Sequence, residues 1–129
     1  LEDIISGSGI SKIYETLTRD KLSAEEIFKK FLDKEPDALF VINGFIKSLS
    51  QTLSDLALSF LPGKGILLAG SLSRSIYTHF NEQNFFKPFI NNNTGMHFDI
   101  LKNTPIGVIT KERTPLYGNL AFYKNLNKI

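Results

Sequence analysis

A turn of small residues follows a short apolar run and is the first candidate for chemistry in this chain. Residues 65–69, Gly-Ile-Leu-Leu-Ala, are typical of a strand buried on both faces, and Gly70 and Ser71 follow directly. Residues 76–80 then suit a helix. A turn between a strand and a helix lies where ligands of open α/β sheets usually bind. Gly70 would let a flat ring or a phosphate approach the backbone, although the same residues also suit a plain tight turn.

A second segment of small residues, Ser-Gly-Ser-Gly at positions 6–9, interrupts an apolar face near the start of the chain. Ser8 is expected to cap a helix that begins at Gly9 or Ile10, because its hydroxyl can accept an amide hydrogen of the first turn. The exposed start of such a helix suits an anion. The alternative is a corner between two helices, in which the glycines serve geometry alone.

Sequence signatures of several other chemistries are absent. His79 and His97 stand 18 residues apart and the chain has no cysteine, so nothing supports a zinc site. The chain contains no Gly-x-x-x-x-Gly-Lys-Ser/Thr phosphate loop, no Gly-x-Gly-x-x-Gly fingerprint and no Gly-x-Ser-x-Gly elbow. We therefore assign no catalytic and no metal-binding residue within this chain.

One long helix and two short strands must position the turn that follows the apolar run. Pro36 suits the first turn of a helix of about residues 36–61, in which apolar residues recur at helical spacing. We expect this helix to pack against a sheet that contains the strand at about 66–69. Residues 105–110 supply a second strand, expected to be parallel to the first. The pattern predicts a mostly helical α/β fold.

The remaining elements are interpreted as packing elements. Ser23 and Glu26 have the spacing of a capping box, which opens a helix to which we assign no chemistry. Residues 80–93 are rich in aromatic residues and asparagine and predict a loop with short helical turns held against the core. Residues 96–101 are expected to be extended, and residues 114–126 to form a helix.

The composition is that of an ordinary globular protein. Hydrophobic residues make up 42% of the 129 positions and charged residues 22%. A formal net charge of +2 gives no support for nucleic acid or a membrane surface as a partner. The absence of cysteine fits a reducing cytoplasm, and no apolar run approaches the roughly 20 residues of a membrane span. The chain begins at Leu1 rather than Met, which indicates a piece of something longer.

The order of the segments resembles bacterial glucokinases over nearly the whole chain. Residues 2–10 are similar to the Glu-x-x-x-Ser-Gly-x-Gly-Leu segment of these enzymes. Residues 67–71, Leu-Leu-Ala-Gly-Ser, are similar to their adenosine motif, in which apolar residues precede Ala-Gly-Gly. Residues 38–61 resemble the long helix before that motif, while 105–110 and 116–121 match the last strand and the closing helix. The resemblance implies part of an actin-like (ribonuclease H-like) ATPase domain.

The resemblance implies binding roles for three residues. Glu2 matches the family glutamate whose carboxylate accepts hydrogen bonds from sugar hydroxyls, and Gly70 and Ser71 match the Gly-Gly over which adenosine passes. Because Ser71 replaces the second glycine, its side chain can narrow the nucleotide slot or donate a hydrogen bond. The family's catalytic base and phosphate loops would all precede Leu1. Residues 1–129 are therefore expected to be the C-terminal portion of the large lobe, without the N-terminal lobe and inactive alone.

For the full-length protein the resemblance implies an ATP-dependent glucokinase of the cytoplasm. It would convert ATP and D-glucose to ADP and glucose 6-phosphate, the first step of glycolysis, with ATP and Mg²⁺ bound mainly by residues outside this chain. A homodimer is expected, and the isolated piece, with apolar sheet surface and edges exposed, is expected to self-associate. Two alternatives stay open: a kinase of the same fold for another hexose or an amino sugar, and a non-catalytic sugar-sensing module.

Overall fold

The fold is mostly helical, with two short strands. A computed structural model describes residues 5–90 and 94–126. Its elements in chain order are α1 (Gly7–Thr18), α2 (Ala24–Leu32), α3 (Pro36–Phe60), β1 (Ile66–Leu68), α4 (Ser71–Ile76), a 3-10 turn (Tyr77–His79), a π-helical turn (Glu82–Phe86), α5 (Lys87–Ile90), α6 (Gly95–Lys102), β2 (Ile106–Val108) and α7 (Thr114–Leu126). The predicted fold class, a mostly helical α/β piece, is confirmed.

Helix α3 forms the centre of the core. It begins at Pro36, where the Glu35 side chain accepts a hydrogen bond from the Ala38 amide at 2.8 Å. It ends at Phe60, and the following residue, Leu61, caps it with a left-handed φ of 46°. The predicted helix at 36–61 is therefore confirmed to within one residue. Its neighbours are α1, α2, α5, α6 and the π-helical turn. Its buried apolar residues are Ala38, Val41, Ile42, Phe45, Ile46, Leu53 and Ala57.

The two strands pair in parallel, as the sequence predicts. Ile66 is paired with Ile106 and Leu68 with Val108. Ile66, Leu68 and Ile106 pack against the core built around α3. Leu67 points the other way, since side chains alternate along a strand, and 71% of its surface is exposed. The expectation of a strand buried on both faces is therefore wrong for the described part of the chain, in which a two-stranded sheet buries one face.

A capping box at the start of α2 confirms the prediction for Ser23 and Glu26. The Ser23 hydroxyl oxygen accepts a hydrogen bond from the Glu26 amide at 3.3 Å. The Glu26 carboxylate accepts hydrogen bonds from the Ser23 amide and the Ser23 hydroxyl, each at 2.8 Å. These hydrogen bonds hold the pKa of Glu26 below its ordinary value, with help from the charge of Lys29. The stabilisation is present at neutral pH and is lost as the pH falls through this lowered pKa.

The cap of α1 differs from the prediction. The helix begins at Gly7, and the Ser6 hydroxyl, rather than that of Ser8, accepts an amide of the first turn, that of Gly9, at 3.0 Å. Ser6 has the extended backbone of an N-cap, with φ −154° and ψ 167°. Ser8 instead lies inside the first turn, where its hydroxyl is 2.9 Å from that of Ser6. Gly7 and Gly9 therefore both lie at the start of α1.

A buried tyrosine ties α1 to α2. The Lys30 ammonium donates a hydrogen bond to the Tyr14 hydroxyl at 3.0 Å, and this bond raises the pKa of Lys30. Tyr14 is almost wholly buried, next to Ile10 of its own helix and Ile27 of α2 in the same core. The position of α2 relative to α1 is therefore fixed by apolar contact and by one directional hydrogen bond.

The aromatic segment after α4 forms short helical turns, as predicted for its described part. Phe85 and Phe89 are buried, and their rings stack at a centroid distance of 6.2 Å. The Ser50 hydroxyl of α3 donates to the Phe85 carbonyl oxygen at 2.5 Å. Residues 91–93 of the predicted segment lie outside the described residues.

Residues 96–101 are helical, so the prediction of an extended segment is wrong. Thr94 supplies the extended N-cap backbone, and α6 runs from Gly95 to Lys102. Leu101 is buried in the core and Phe98, three residues earlier, is half-buried, which is helical spacing rather than strand alternation. Because the segment 96–101 is so short, the burial of only two side chains, Phe98 and Leu101, distinguishes helical from strand periodicity.

Helix α7 confirms the last predicted element but leaves its apolar side chains in solvent. Leu116, Leu120 and Tyr123 each expose half of their surface or more. An added Cβ at Gly118 would meet no described atom within 4 Å. Among residues 5–90 and 94–126, no helix has the length and apolar character needed to cross a membrane.

Candidate functional site

The turn after β1 has a backbone that requires glycine. Gly70 adopts φ 112° and ψ 163°, a region that is essentially closed to residues with a side chain. An added Cβ would meet no described atom within 4 Å, so conformation rather than crowding imposes the glycine. Its carbonyl oxygen accepts the Arg74 amide at 3.2 Å, closing the first turn of α4. Helix α4 starts at Ser71, five residues before the helix expected at 76–80.

A cleft beside this turn is lined by residues near the starts of three helices, α1, α2 and α4. Its volume is about 450 Å³, within the range of about 300–1,000 Å³ that is usual for small-molecule sites. The wall from α1 is Gly7, so the cleft brings together the two small-residue segments that the sequence singles out. The lining residues are Gly7, Ala24, Glu25, Phe28, Lys29, Ser71, Leu72 and Ser75.

The walls of the cleft combine apolar surface with a few polar groups. Phe28 of α2 and Leu72 of α4 supply the larger apolar surfaces, while Glu25 and Lys29 carry opposite charges. An added Cβ on Gly7 would come within 3.6 Å of the Ala24 Cβ, so the starts of α1 and α2 lie close together there. An apolar slot with a few polar side chains is typical of a site for a flat organic ligand.

The structure places two of the three predicted binding residues. Ser71 lines the cleft, and Gly70 forms the turn directly before it. Glu2, the predicted sugar ligand, lies outside the described residues.

Sequence reasoning missed the contribution of α2, which was interpreted as structure alone. Four of its residues line the cleft. The spacing i, i+3, i+4, i+7 makes one apolar stripe of α2, whose members all lie in or against the core: Ala24, Ile27, Phe28 and Phe31. This pattern is typical of core packing and gives no separate signal of the cleft.

No group of three or more His, Cys, Asp or Glu side chains that could hold a metal ion occurs in the described ranges, 5–90 and 94–126. The imidazole of His79 instead packs edge-on against Phe31 at a centroid distance of 4.9 Å.

Comparison with known proteins decides the family. The family model described as Glucokinase matches residues 1–126. The chain belongs to the glucokinase family. The glucokinase of Mesorhizobium japonicum (strain LMG 29417 / CECT 9101 / MAFF 303099) is 28% identical over 131 residues, which covers 96% of this chain and 38% of the relative. The glucokinase-family chain described here thus spans about two fifths of the length of that relative.

The family match confirms the resemblance that the segment order indicates. It takes in both glycine segments, the long helix α3, the strand pair and the whole of α7. The glucokinase-family assignment therefore applies to the whole cleft beside Gly70. The binding roles of Glu2, Gly70 and Ser71 stay predictions.

Proposed function

We propose that this chain is the C-terminal portion of the large lobe of an ATP-dependent glucokinase and supplies the adenosine side of its cleft. The lobe has the actin-like fold that the segment order implies. The observation that carries the proposal is the position of the glycine-only turn at Gly70, beside an apolar cleft that is also lined by Gly7. Membership of the glucokinase family supports the same assignment.

The proposed reaction transfers the γ-phosphoryl group of ATP to the 6-hydroxyl of D-glucose. The sugar oxygen forms a bond to the γ-phosphorus, the bond from that phosphorus to the β,γ-bridging oxygen breaks, and ADP leaves. The hydroxyl proton passes to a base outside this chain. Such transfer depends mainly on positioning and on charge stabilisation. The part of this chain is to hold adenosine over Gly70 and Ser71, and to bind glucose hydroxyls through the carboxylate of Glu2.

Mg²⁺ is proposed to be bound mainly by residues outside this chain. Residues 5–90 and 94–126 contain no group of three or more His, Cys, Asp or Glu side chains that could hold a metal ion. In the proposed reaction the cation neutralises charge on the phosphates of ATP. Residues 1–129 alone are therefore proposed to bind substrates incompletely and to be inactive.

We further propose that the protein acts as a homodimer at the first step of glycolysis, in the cytoplasm. The absence of cysteine fits a reducing compartment. Helix α7 carries exposed apolar side chains, among them Phe122, of whose surface 66% is exposed. This exposure supports packing of α7 against further protein. The same exposure supports self-association of the isolated piece.

The proposal is tested by ADP formation from ATP and Mg²⁺ in the full-length protein, with glucose, mannose, glucosamine or no sugar. We expect ADP formation that depends on glucose, and none above the blank from residues 1–129 alone. Activity confined to mannose or glucosamine would replace glucose with the alternative sugar. Absence of sugar-dependent ADP formation with all three would favour the non-catalytic sugar-sensing module.

A further inference from the structure

We propose that Phe28 of α2 is the platform on which the nucleotide base lies, and that it makes the cleft prefer purine to pyrimidine nucleotides. The proposal rests on the function proposed above, in which the cleft binds adenosine. It assigns a ligand contact to a helix that the sequence presents only as packing.

Phe28 lies at the edge of the apolar stripe of α2, where it packs against the core and also borders the cleft. Ile27 and Phe31 are buried in the core, whereas Phe28 is half-buried and lines the cleft with Ala24, one turn earlier. The aromatic ring therefore has surface available to a ligand. Among the lining residues it is the one aromatic side chain.

The Phe28 ring is held by two other rings. It stacks on Phe31 with centroids 5.5 Å apart and an interplanar angle of 26°, and it meets His79 edge-on at 5.6 Å and 72°. His79 is itself anchored, since its carbonyl oxygen accepts a hydrogen bond from the buried Asn84 side chain at 3.0 Å. A ring fixed before binding loses less conformational entropy when a base stacks on it.

The wall of the cleft opposite Phe28, formed by α4, would position the ribose of the nucleotide. Ser71 and Leu72 line the cleft from α4, immediately after the exposed turn at Gly70. A base that lies against Phe28 would direct its ribose over that turn. The slot thus has an aromatic surface on α2 and an aliphatic surface on α4, an arrangement that suits a flat ring system.

The chemistry of the slot favours purines as a class. Stacking on an aromatic side chain contributes through overlap of ring area, so a two-ring base gains more than a one-ring base. Glu25 suits the exocyclic amine of adenine and Lys29 suits the carbonyl oxygen of guanine, and both line the cleft. The cleft is therefore expected to distinguish purine from pyrimidine nucleotides more strongly, in affinity, than adenine from guanine nucleotides.

The test compares Phe28→Leu with wild type in the full-length protein, using ATP, GTP and CTP as phosphoryl donors and glucose as acceptor. Leucine keeps an apolar side chain but removes the ring. We expect KM for ATP to rise about 5- to 20-fold, since base stacking on an aromatic residue has about that effect. The ratio of kcat/KM for ATP to that for CTP should fall by a similar factor, while KM for glucose changes less than about 2-fold.

Two controls separate stacking from structure. Leu32→Ala alters an exposed residue of the same helix that does not line the cleft, and should leave the ATP to CTP ratio unchanged. Phe28→Trp keeps an aromatic platform and should keep the purine preference. An unchanged ratio in Phe28→Leu, or an equal rise in KM for ATP and for glucose, would overturn the proposal.

Equilibrium binding to wild type tests the same inference if Phe28→Leu does not fold. We expect ATP and GTP to bind more tightly than CTP, and equal affinity for ATP and CTP would overturn the inference. A wild type with sugar-dependent activity but an unchanged Phe28→Leu ratio rejects only the role of Phe28. Absence of activity with every sugar rejects the proposed function, while the relative affinity of wild type for ATP and CTP still tests the purine preference.

Discussion

Replacement of Gly70 by alanine in the full-length protein is expected to lower kcat/KM for ATP by about 10- to 100-fold. Gly70 adopts φ 112° and ψ 163°, and holding a residue with a Cβ there costs about 1–3 kcal/mol. The turn can relieve this strain by rotating, which moves Ser71 and the start of α4 out of the cleft. The loss should appear with ATP as the varied substrate, while KM for glucose stays within about 2-fold of wild type.

Gly44→Ala is the matched control for this change. Gly44 lies inside α3, and an added Cβ would meet no described atom within 4 Å. Since glycine in the middle of a helix is less favourable than alanine by about 0.5–1 kcal/mol, Gly44→Ala should raise the free energy of unfolding and leave the kinetics unchanged. A Gly70→Ala enzyme with wild-type kcat/KM for ATP would show that the turn does not carry the nucleotide.

Glu2→Gln is expected to lower kcat/KM for glucose by about 100-fold, because hydrogen bonds to a charged group contribute about 1.5–3 kcal/mol each and a carboxylate can accept two from vicinal hydroxyls. The amide replaces one acceptor oxygen with a donor and removes the charge. KM for ATP should change little, since the nucleotide turn is a separate segment. Steady-state kinetics with glucose varied at saturating ATP measures the effect.

Glu15→Gln makes the same chemical change on an exposed position of α1 and should have wild-type kinetics. Equal activity of Glu2→Gln and wild type would leave the kinase assignment in place and remove Glu2 from the sugar site. A parallel loss in both Glu2→Gln and Glu15→Gln would indicate a general effect of charge rather than a sugar contact.

Periodicity sustained over many residues made α3 predictable, whereas the two strands were predicted from short apolar runs. Apolar residues recur along residues 36–61 for seven turns, so chance matches to other periods average out. Residues 96–101 offered only one short apolar run, and the packing of Leu101 into the core decided in favour of a helix. Local hydrogen bonding was equally ambiguous at Ser6 and Ser8, because both hydroxyls can cap and only the backbone dihedral angles distinguish them.

The candidate site was predictable where it depends on one turn and not where it depends on tertiary contact. Gly70 and Ser71 follow a strand, an order that suits a ligand turn or a plain tight turn, and the resemblance to glucokinases favours the ligand turn. The wall from α2 depends on the placement of Phe28 between Phe31 and His79, and His79 is distant in sequence from α2. No local pattern encodes such a contact, and the apolar stripe of α2 is typical of core packing alone.

The central claim is that the cleft between the starts of α2 and α4 is the nucleotide side of a glucokinase. Hydrogen exchange of the full-length protein with and without saturating ADP tests it most directly, because it requires no substitution. We predict slower amide exchange in residues 24–29 and 71–75 when ADP is bound. Unchanged exchange in both segments, with ADP protecting other parts of the protein, would contradict the claim.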